Sequence, residues 1–252
     1  MIAPQTPAPP SANAWAFSPA FARHSRIGFQ FSGGRDSTAA LYLLRDCWPL
    51  MTVYHLDTGD QFPETRAVVK QVARDVPITV ITSNVHVYRN THGWASDVVP
   101  VDNTPPGRLV SGRALKIVSR YECCYQVLMA PMHARMVQDG ITLLVRGQRD
   151  DEYVTQPMRS GDVQDGIEVL YPIQSWSGQA VSDYLLDNAL PIAPFYAHGA
   201  RRAPECMGCT AWWDEGRSTY LKNHHPIHFT DFTRRMGVIR AEIDRQYNTL
   251  ED

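Results

Sequence analysis

No apolar run in the sequence approaches the roughly 18 residues that a membrane-crossing helix requires. Residues 1–10 carry neither the basic start nor the apolar stretch of a secretory signal. A soluble, cytoplasmic protein without a membrane partner is expected. Neither sign of charge is in excess: 24 Lys and Arg stand against 26 Asp and Glu, a formal net charge of -2 over 252 residues. A broadly basic nucleic-acid surface is therefore not expected, although a local patch can hide inside a balanced total. Internal repeats are absent. Cysteines are few, five in all, and in a reducing compartment clustered cysteines bind metal or do redox chemistry more readily than they form disulfides.

With 44% hydrophobic residues, the chain is long enough to bury a sizeable core in one α/β domain. The proline-rich start reads as an arm, 1–25, outside that core. From Arg26 onward, apolar runs of strand length alternate with amphipathic stretches of helix length, as in a parallel sheet with crossover helices. Strands are predicted at 27–31, 51–56, 78–81 and 141–145, and helices at 37–45, 63–75, 124–138 and 179–188. Residues 84–120 lack a clear period and read as an excursion over the carboxyl end of the sheet, where substrate loops often lie. The main domain is predicted at 26–190, and 191–252 as a cysteine-bearing C-terminal extension.

Ser32-Gly33-Gly34-Arg35-Asp36-Ser37 follows an apolar strand and opens a helix. Two glycines let the backbone approach an anion, and free amides at the helix start point at it, so phosphate is expected there. Ser32, Ser37 and Thr38 add hydroxyls, and Arg35 a cationic contact. The Walker spacing and its lysine are missing. Read blandly, the segment is a Gly-Gly turn with Ser and Asp as helix caps.

Four cysteines fall in two places, Cys123-Cys124 and Cys206-x-x-Cys209. Four thiolates imply a metal. Adjacent cysteines suit a single zinc ion poorly, whereas four thiolates meet the need of a [4Fe-4S] cube. Zinc, a redox-active Cys206/Cys209 pair and inert buried thiols remain as alternatives. Cys47, with no partner at ligand spacing, reads as a core cysteine.

The phosphate loop resembles the S-G-G-x-D-S loop of the PP-loop ATP pyrophosphatases and their sulfonucleotide-handling relatives. Leu56-Asp57-Thr58-Gly59-Asp60-Gln61-Phe62-Pro63-Glu64-Thr65 is closely similar to the L-D-T-G-x-x-F-P-E-T segment of the phosphoadenylylsulfate reductase family. Gly147-Gln148-Arg149-Asp150-Asp151-Glu152 resembles the family's G-x-R-x-x-E, and Tyr171-Pro172-Ile173-Gln174-Ser175-Trp176 its N-P-I-x-x-W. The paired cysteines resemble the cluster motif of assimilatory adenylylsulfate reductases. The resemblance runs from about Phe31 to Thr210 and implies a Rossmann-like fold of the adenine nucleotide alpha-hydrolase type. It further implies an adenine nucleotide, ATP or adenylyl sulfate with or without a 3′-phosphate, held by Ser32 to Thr38, Leu56, Asp57, Thr58, Gly147 and Arg149. Asp36 would order the loop or a Mg2+ ion, Arg149 would pair with phosphate or sulfate, and Cys123, Cys124, Cys206 and Cys209 would hold a [4Fe-4S] cluster.

Two departures bear on the reaction. Reductases of this family attack sulfur with a cysteine in a C-terminal tail, and no cysteine follows Cys209 here, so that mechanism is not expected to run unaided. The family's basic residue after the cysteine pair falls near Val127 or Leu128, both apolar. Together with the ATP-type loop, these favour ATP cleavage between the α and β phosphates coupled to sulfur transfer, as in the iron-sulfur ATP pyrophosphatases of DNA phosphorothioation. The alternatives are a sulfonucleotide reductase using a partner-supplied thiol, and a non-catalytic nucleotide-binding subunit with a structural cluster. A sulfur-donor or reductant protein, a nucleic-acid acceptor and self-association into a homo-oligomer are the partners this reading admits. Arg113, Lys116, Arg120 and Arg201-Arg202 form either a local basic surface or ordinary solvated charges. Trp212-Trp213 and the histidines from His224 to His228 are expected to pack or to lie at the surface rather than form a metal or base-stacking site.

Overall fold

The computed structural model describes residues 17–114, 116–152, 157–200 and 203–248. Most of the proline-rich arm and the Arg201-Arg202 pair lie outside them. The chain divides into two compact units. The first is Met1–Leu56, Thr65–Ile81 and Ala134–Ala193; the second is Asp57–Glu64, Thr82–His133 and Pro194–Asp252. Where the sequence reading draws a single boundary at 190/191, the folded chain passes several times between the units, and residues 57–64 and 82–133 join the C-terminal segment.

The chain opens with α1 (Ser18–Arg23), then β1 (Ile27–Gln30), α2 (Arg35–Leu43), β2 (Met51–Asp57), α3 (Pro63–Val72) and β3 (Ile78–Thr82). An excursion follows: α4 (Val85–His92), β4 (Trp94–Ser96), α5 (Pro105–Ser111), β5 (Ile117–Ser119) and α6 (Arg120–Cys124). After a π turn at Tyr125–Met129 come α7 (Ala130–Gln138), β6 (Leu143–Arg146), β7 (Val163–Gln164), β8 (Ile167–Leu170), α8 (Gly178–Asp187), α9 (Arg217–His224) and α10 (Pro226–Asn248).

The first unit is built on a six-stranded sheet of order β3-β2-β1-β6-β8-β7. β1 pairs in parallel with both β2 and β6, placing Phe29 between Val53 and Val145, all three buried. β8 continues in parallel beside β6, and β7 turns back antiparallel at the edge. Burial on both faces fits the consecutive buried positions Ile27, Gly28 and Phe29 of β1, which ends on the half-buried Gln30. The strand order reverses at β1, so the loops leaving the carboxyl ends of β1 and β6 flank a topological switch point. Around it, α2 is buried from Ser37 to Leu43. Cys47 lies in a 3-10 turn, Arg45–Leu50, and is only half-buried, not in the core as expected. That turn contains no fully buried residue, because it runs along the surface between α2 and β2.

In the second unit β4 and β5 form a short parallel ladder. The side-chain oxygen of Asn84 accepts the Val87 amide at 3.0 Å and caps α4. The long α10 is fixed to the excursion through Glu242, which accepts a hydrogen bond from Asn103 Nδ2 at 2.9 Å and one from Arg245 Nη2 at 2.7 Å. Asn103 in turn accepts the amides of Lys116 and Ile117, at 3.0 and 3.1 Å.

Candidate active site and thiolate centre

The phosphate loop is in the first unit, between β1 and α2. Gly33 has φ +81°, and a Cβ there would come within 2.9 Å of Val69 and 3.0 Å of Thr65, so only glycine fits. Gly34 is extended and precedes the first turn of α2. The loop's hydroxyls fold inward: Ser32 Oγ and Ser37 Oγ are 3.0 Å apart, the Gly34 amide donates to Ser32 Oγ at 3.2 Å, and Ser37 Oγ and Thr38 Oγ1 donate to the Gly34 carbonyl at 3.0 and 2.9 Å. The Gly-Gly turn of the bland reading is present, but neither Ser nor Asp caps α2: its N-cap residue is Gly34, and Ser37 and Thr38 bond back to the Gly34 carbonyl.

Gly147, leaving β6, meets this loop backbone to backbone. A Cβ on it would lie 2.5 Å from the Asp36 carbonyl oxygen and 2.7 Å from Ser37 Cα. Arg149, 5% exposed, is enclosed by carboxylates. Its Nε donates to Asp36 Oδ1 at 2.6 Å, Nη1 donates to Asp151, and its backbone amide donates to Glu152 Oε2 at 3.0 Å. Burial raises the Glu152 pKa, the Arg149 backbone bond opposes this, and the Asp36 charge adds to the rise. Arg35 lies 3.7 Å from Asp36 and 3.5 Å from Ser182 Oγ on α8. Arg149 and Asp36, the two residues expected to act on the nucleotide, thus form an ion pair in which the guanidinium is held by carboxylates where an anion's oxygens would go. Leu56 is buried at the end of β2.

Asp57 and Thr58 belong to the second unit. Asp57 accepts the Gly59 amide at 2.8 Å, and Thr58 Oγ1 lies 3.5 Å from Cys206 Sγ. The structure thus places Thr58, assigned to the nucleotide from sequence, against a cysteine. The four clustered cysteines all fall in this unit. Cys123, Cys206 and Cys209 share one buried cluster with Val85, Ala95, Val118, Val127 and Ala211, and Cys124 is half-buried. Burial pushes the Cys123 thiol up to about 12 and the Cys124 thiol up to about 11, and in both the Cys209 thiolate is the next cause. Cys206 is pushed well above the usual thiol range, first by burial.

The surroundings of Cys206 and Cys209 are cationic. Arg217, 5% exposed, donates from Nη1 to the carbonyls of Cys206 and of Cys209, the latter at 3.4 Å, and pairs with Glu215. Arg89, 4% exposed, pairs with Asp60 at 2.5 Å, and Asp60 also accepts the Gly208 amide at 3.0 Å. Neither arginine was singled out from sequence, because nothing local marks them; they reach the cysteines only through the fold. Val127 and Leu128 are apolar packing residues as read. Among the described residues no three His, Cys, Asp or Glu side chains are arranged to hold one metal ion. Zinc crowds its sulfurs at about 2.3 Å from one centre, whereas a cube with an iron at each corner takes four thiolates farther apart. The donor set of four cysteines fits such a group, and two buried donors without acceptors, Tyr88 Oη and Arg89 Nε, lie on the helix beside it.

The remaining sequence candidates are structural. Arg113, Lys116 and Arg120 face Asp102, Glu242 and Asp97 at 4.0, 3.5 and 3.2 Å. Trp212 packs on the cysteine cluster under Arg120, whose guanidinium carbon is 4.1 Å from its ring centre, and Trp213 is half-exposed. His225 pairs with Glu64 at 2.8 Å, while His224 and His228 are exposed. Among the described residues no helix is long and apolar enough to cross a membrane.

The chain is similar to known proteins in sequence and in fold. An adenosine 5'-phosphosulfate reductase of Rhodococcus erythropolis is 25% identical over 189 residues, 74% of this chain and 69% of the relative. A phosphoadenosine 5'-phosphosulfate reductase of Buchnera aphidicola is 25% identical over 227 residues, 90% of this chain and 82% of the relative. The crystal structure of a phosphoadenylyl-sulfate reductase from Candida auris superposes with a TM-score of 0.56 at 15% identity, covering 76% of this chain and 87% of that one, a likeness of fold. The model of the phosphoadenosine phosphosulfate reductase domain matches residues 26–231, a stretch that takes in the switch-point loops of the first unit and all four clustered cysteines of the second. The chain belongs to the phosphoadenosine phosphosulfate reductase family.

Proposed function

We propose that this protein is an enzyme of sulfonucleotide reduction that binds adenylyl sulfate through the Ser32 to Thr38 loop and carries a [4Fe-4S] cluster on Cys123, Cys124, Cys206 and Cys209. The observation that carries this reading is the gathering of the four cysteines in one unit of a chain whose family and relatives are named for that reaction. Helix α2 offers its first amides, with Ser32, Ser37 and Thr38, to the phosphate, and Gly147 keeps the two loops in close approach. Asp36 and Asp151 would hold Mg2+, which would offset their charge and leave the Arg149 fork for phosphate or sulfate oxygens. A thiolate supplied by a dithiol partner attacks the sulfate sulfur. An S–S bond forms, the S–O bond to phosphate breaks, and AMP leaves with that electron pair. The partner's second thiol then displaces sulfite and leaves a disulfide, so the partner is the reductant. When bound, the cluster supplies fixed charge and ties the two cysteine segments together.

A second reading is favoured by the Gly33-Gly34-Arg35-Asp36-Ser37 order: ATP as the nucleotide, cleaved between the α and β phosphates to adenylylate an acceptor before sulfur transfer. Protein purified without oxygen is analysed for iron and sulfide, then incubated with adenylyl sulfate plus a dithiol, and separately with ATP. Iron and sulfide in a four-to-one ratio to chain, with sulfite and AMP released and no pyrophosphate, is the expected result. Pyrophosphate without sulfite moves the assignment to ATP, and nucleotide binding without either product leaves a non-catalytic subunit. Zinc in place of iron overturns the cluster.

A further inference from the structure

Helix α4 carries two consecutive residues with a buried donor that finds no acceptor among the described residues, the hydroxyl of Tyr88 and the Nε–H of Arg89. Leaving a buried donor unmatched is costly, so two in succession call for a physical account. Both lie beside the cysteines. Tyr88 packs against the buried cluster that contains Cys123, Cys206 and Cys209. A neutral phenol carries an O–H donor, and this one is buried. Arg89 uses Nη1 on Asp60, which holds the Gly208 amide between Cys206 and Cys209. Its Nε–H is left without an acceptor among the described residues.

We propose that Tyr88 Oη and Arg89 Nε are hydrogen-bond donors to the sulfur atoms, thiolate or inorganic sulfide, of the cluster held by the four cysteines. The assignment rests on the cluster reading of the preceding section. Hydrogen bonds to cluster sulfurs, with net charge and solvent access, set a cluster's electronic properties, so the two residues are positioning residues for the metal rather than catalytic ones. Tyr88→Phe deletes one oxygen and leaves the ring. In metal-free protein that removes an unmatched hydroxyl and leaves thermal stability unchanged or raised, whereas in loaded protein it removes a bond. Arg89→Lys keeps the charge and loses Nε.

The test compares wild type, Y88F and R89K, loaded to the same iron and sulfide content. One readout is the resonance Raman Fe–S stretching bands in H2O and D2O, and the other is the rate at which a chelator removes iron. A smaller deuteration shift in both variants, with iron release roughly tenfold faster, as for loss of a bond to a charged acceptor, is expected. Equal shifts and equal release rates at equal iron content overturn the proposal and leave the cluster standing. Wild type purified without oxygen yet lacking iron and sulfide removes the cluster reading, and this inference with it.

Discussion

Gly147→Ala tests how tightly the two switch-point loops are coupled. The added Cβ would stand 2.5 Å from the Asp36 carbonyl oxygen and 2.6 Å from its carbon, where ordinary contact begins at 3.4 Å. The neighbours are backbone, so no side chain can swing away, and one loop must retreat by about 0.9 Å. Overpacking of this kind costs about 1–3 kcal/mol, which lowers Tm by about 2–4 °C for each kcal/mol in a chain of this size. The larger effect falls on function. A shift near 1 Å between the amides of α2 and Arg149 misplaces the anion by an amount that costs on the order of a hundredfold in turnover. Gly237→Ala is the control: nothing lies within 4 Å of its added Cβ, and its position inside α10 is helical, so it gains up to about 1 kcal/mol. Calorimetric titration with adenine nucleotide, thermal unfolding and turnover are measured on both variants. A folded G147A protein with wild-type affinity and turnover would refute the coupling of the β6 loop to the phosphate loop.

Arg149→Lys keeps a positive charge but loses the planar fork; adenine nucleotide affinity, read by titration calorimetry, falls about tenfold or more, and an unchanged affinity argues that Arg149 only orders Asp36. Glu242 gives a pH signature. The Arg245 hydrogen bond, with burial opposing and Asn103 assisting, holds its carboxyl down to about 2, so the folded state binds its proton less readily than the unfolded chain. The resulting stability is present above the unfolded carboxylate range near 4.5 and is lost as pH falls towards about 2, a contribution on the order of 3 kcal/mol. Urea midpoints of wild type drop between pH 6 and pH 3 by more than those of Glu242→Gln, and parallel losses in the two proteins would show that other carboxylates carry the acid sensitivity.

Much of the first unit was legible in the sequence. β1, β2, β3 and β6 begin or end within a few residues of the predicted 27–31, 51–56, 78–81 and 141–145; β1 and β2 carry consecutive buried residues, whereas β3, at the sheet edge, has none and was legible from its β-branched residues. The Gly-Gly turn was legible because no other residue satisfies it. The excursion was not. β4 and β5 are three residues each and exist only because Trp94 to Ser96 finds Ile117 to Ser119, a pairing that no local pattern encodes. α10 escaped notice because its buried residues are only Ile239 and Glu242, too few to impress a helical period on 23 positions. At the site, cysteine spacing singled out four thiols that fall in one unit of the fold, whereas Thr58, Tyr88, Arg89 and Arg217 come to them from distant segments. The predicted helix 124–138 lies in a continuous helical run from Arg120 to Gln138 that widens into a π turn at Tyr125–Met129, and such turns frequently mark functional sites.

Cys123 and Cys124 end α6 with Cys124 in helical geometry, φ -62°. Consecutive positions on a helix diverge by about 100° in bearing, so these two thiols open like a caliper instead of pinching a point. Cys206 and Cys209, by contrast, sit in one tight turn closed by a 3.2 Å bond from the Cys209 amide to the Cys206 carbonyl. The pair of jaws is unequal, one broad and one narrow. A body with volume fits such a grip better than a single ion does, and its broad jaw has one buried tip at Cys123 and one at Cys124 that water can reach.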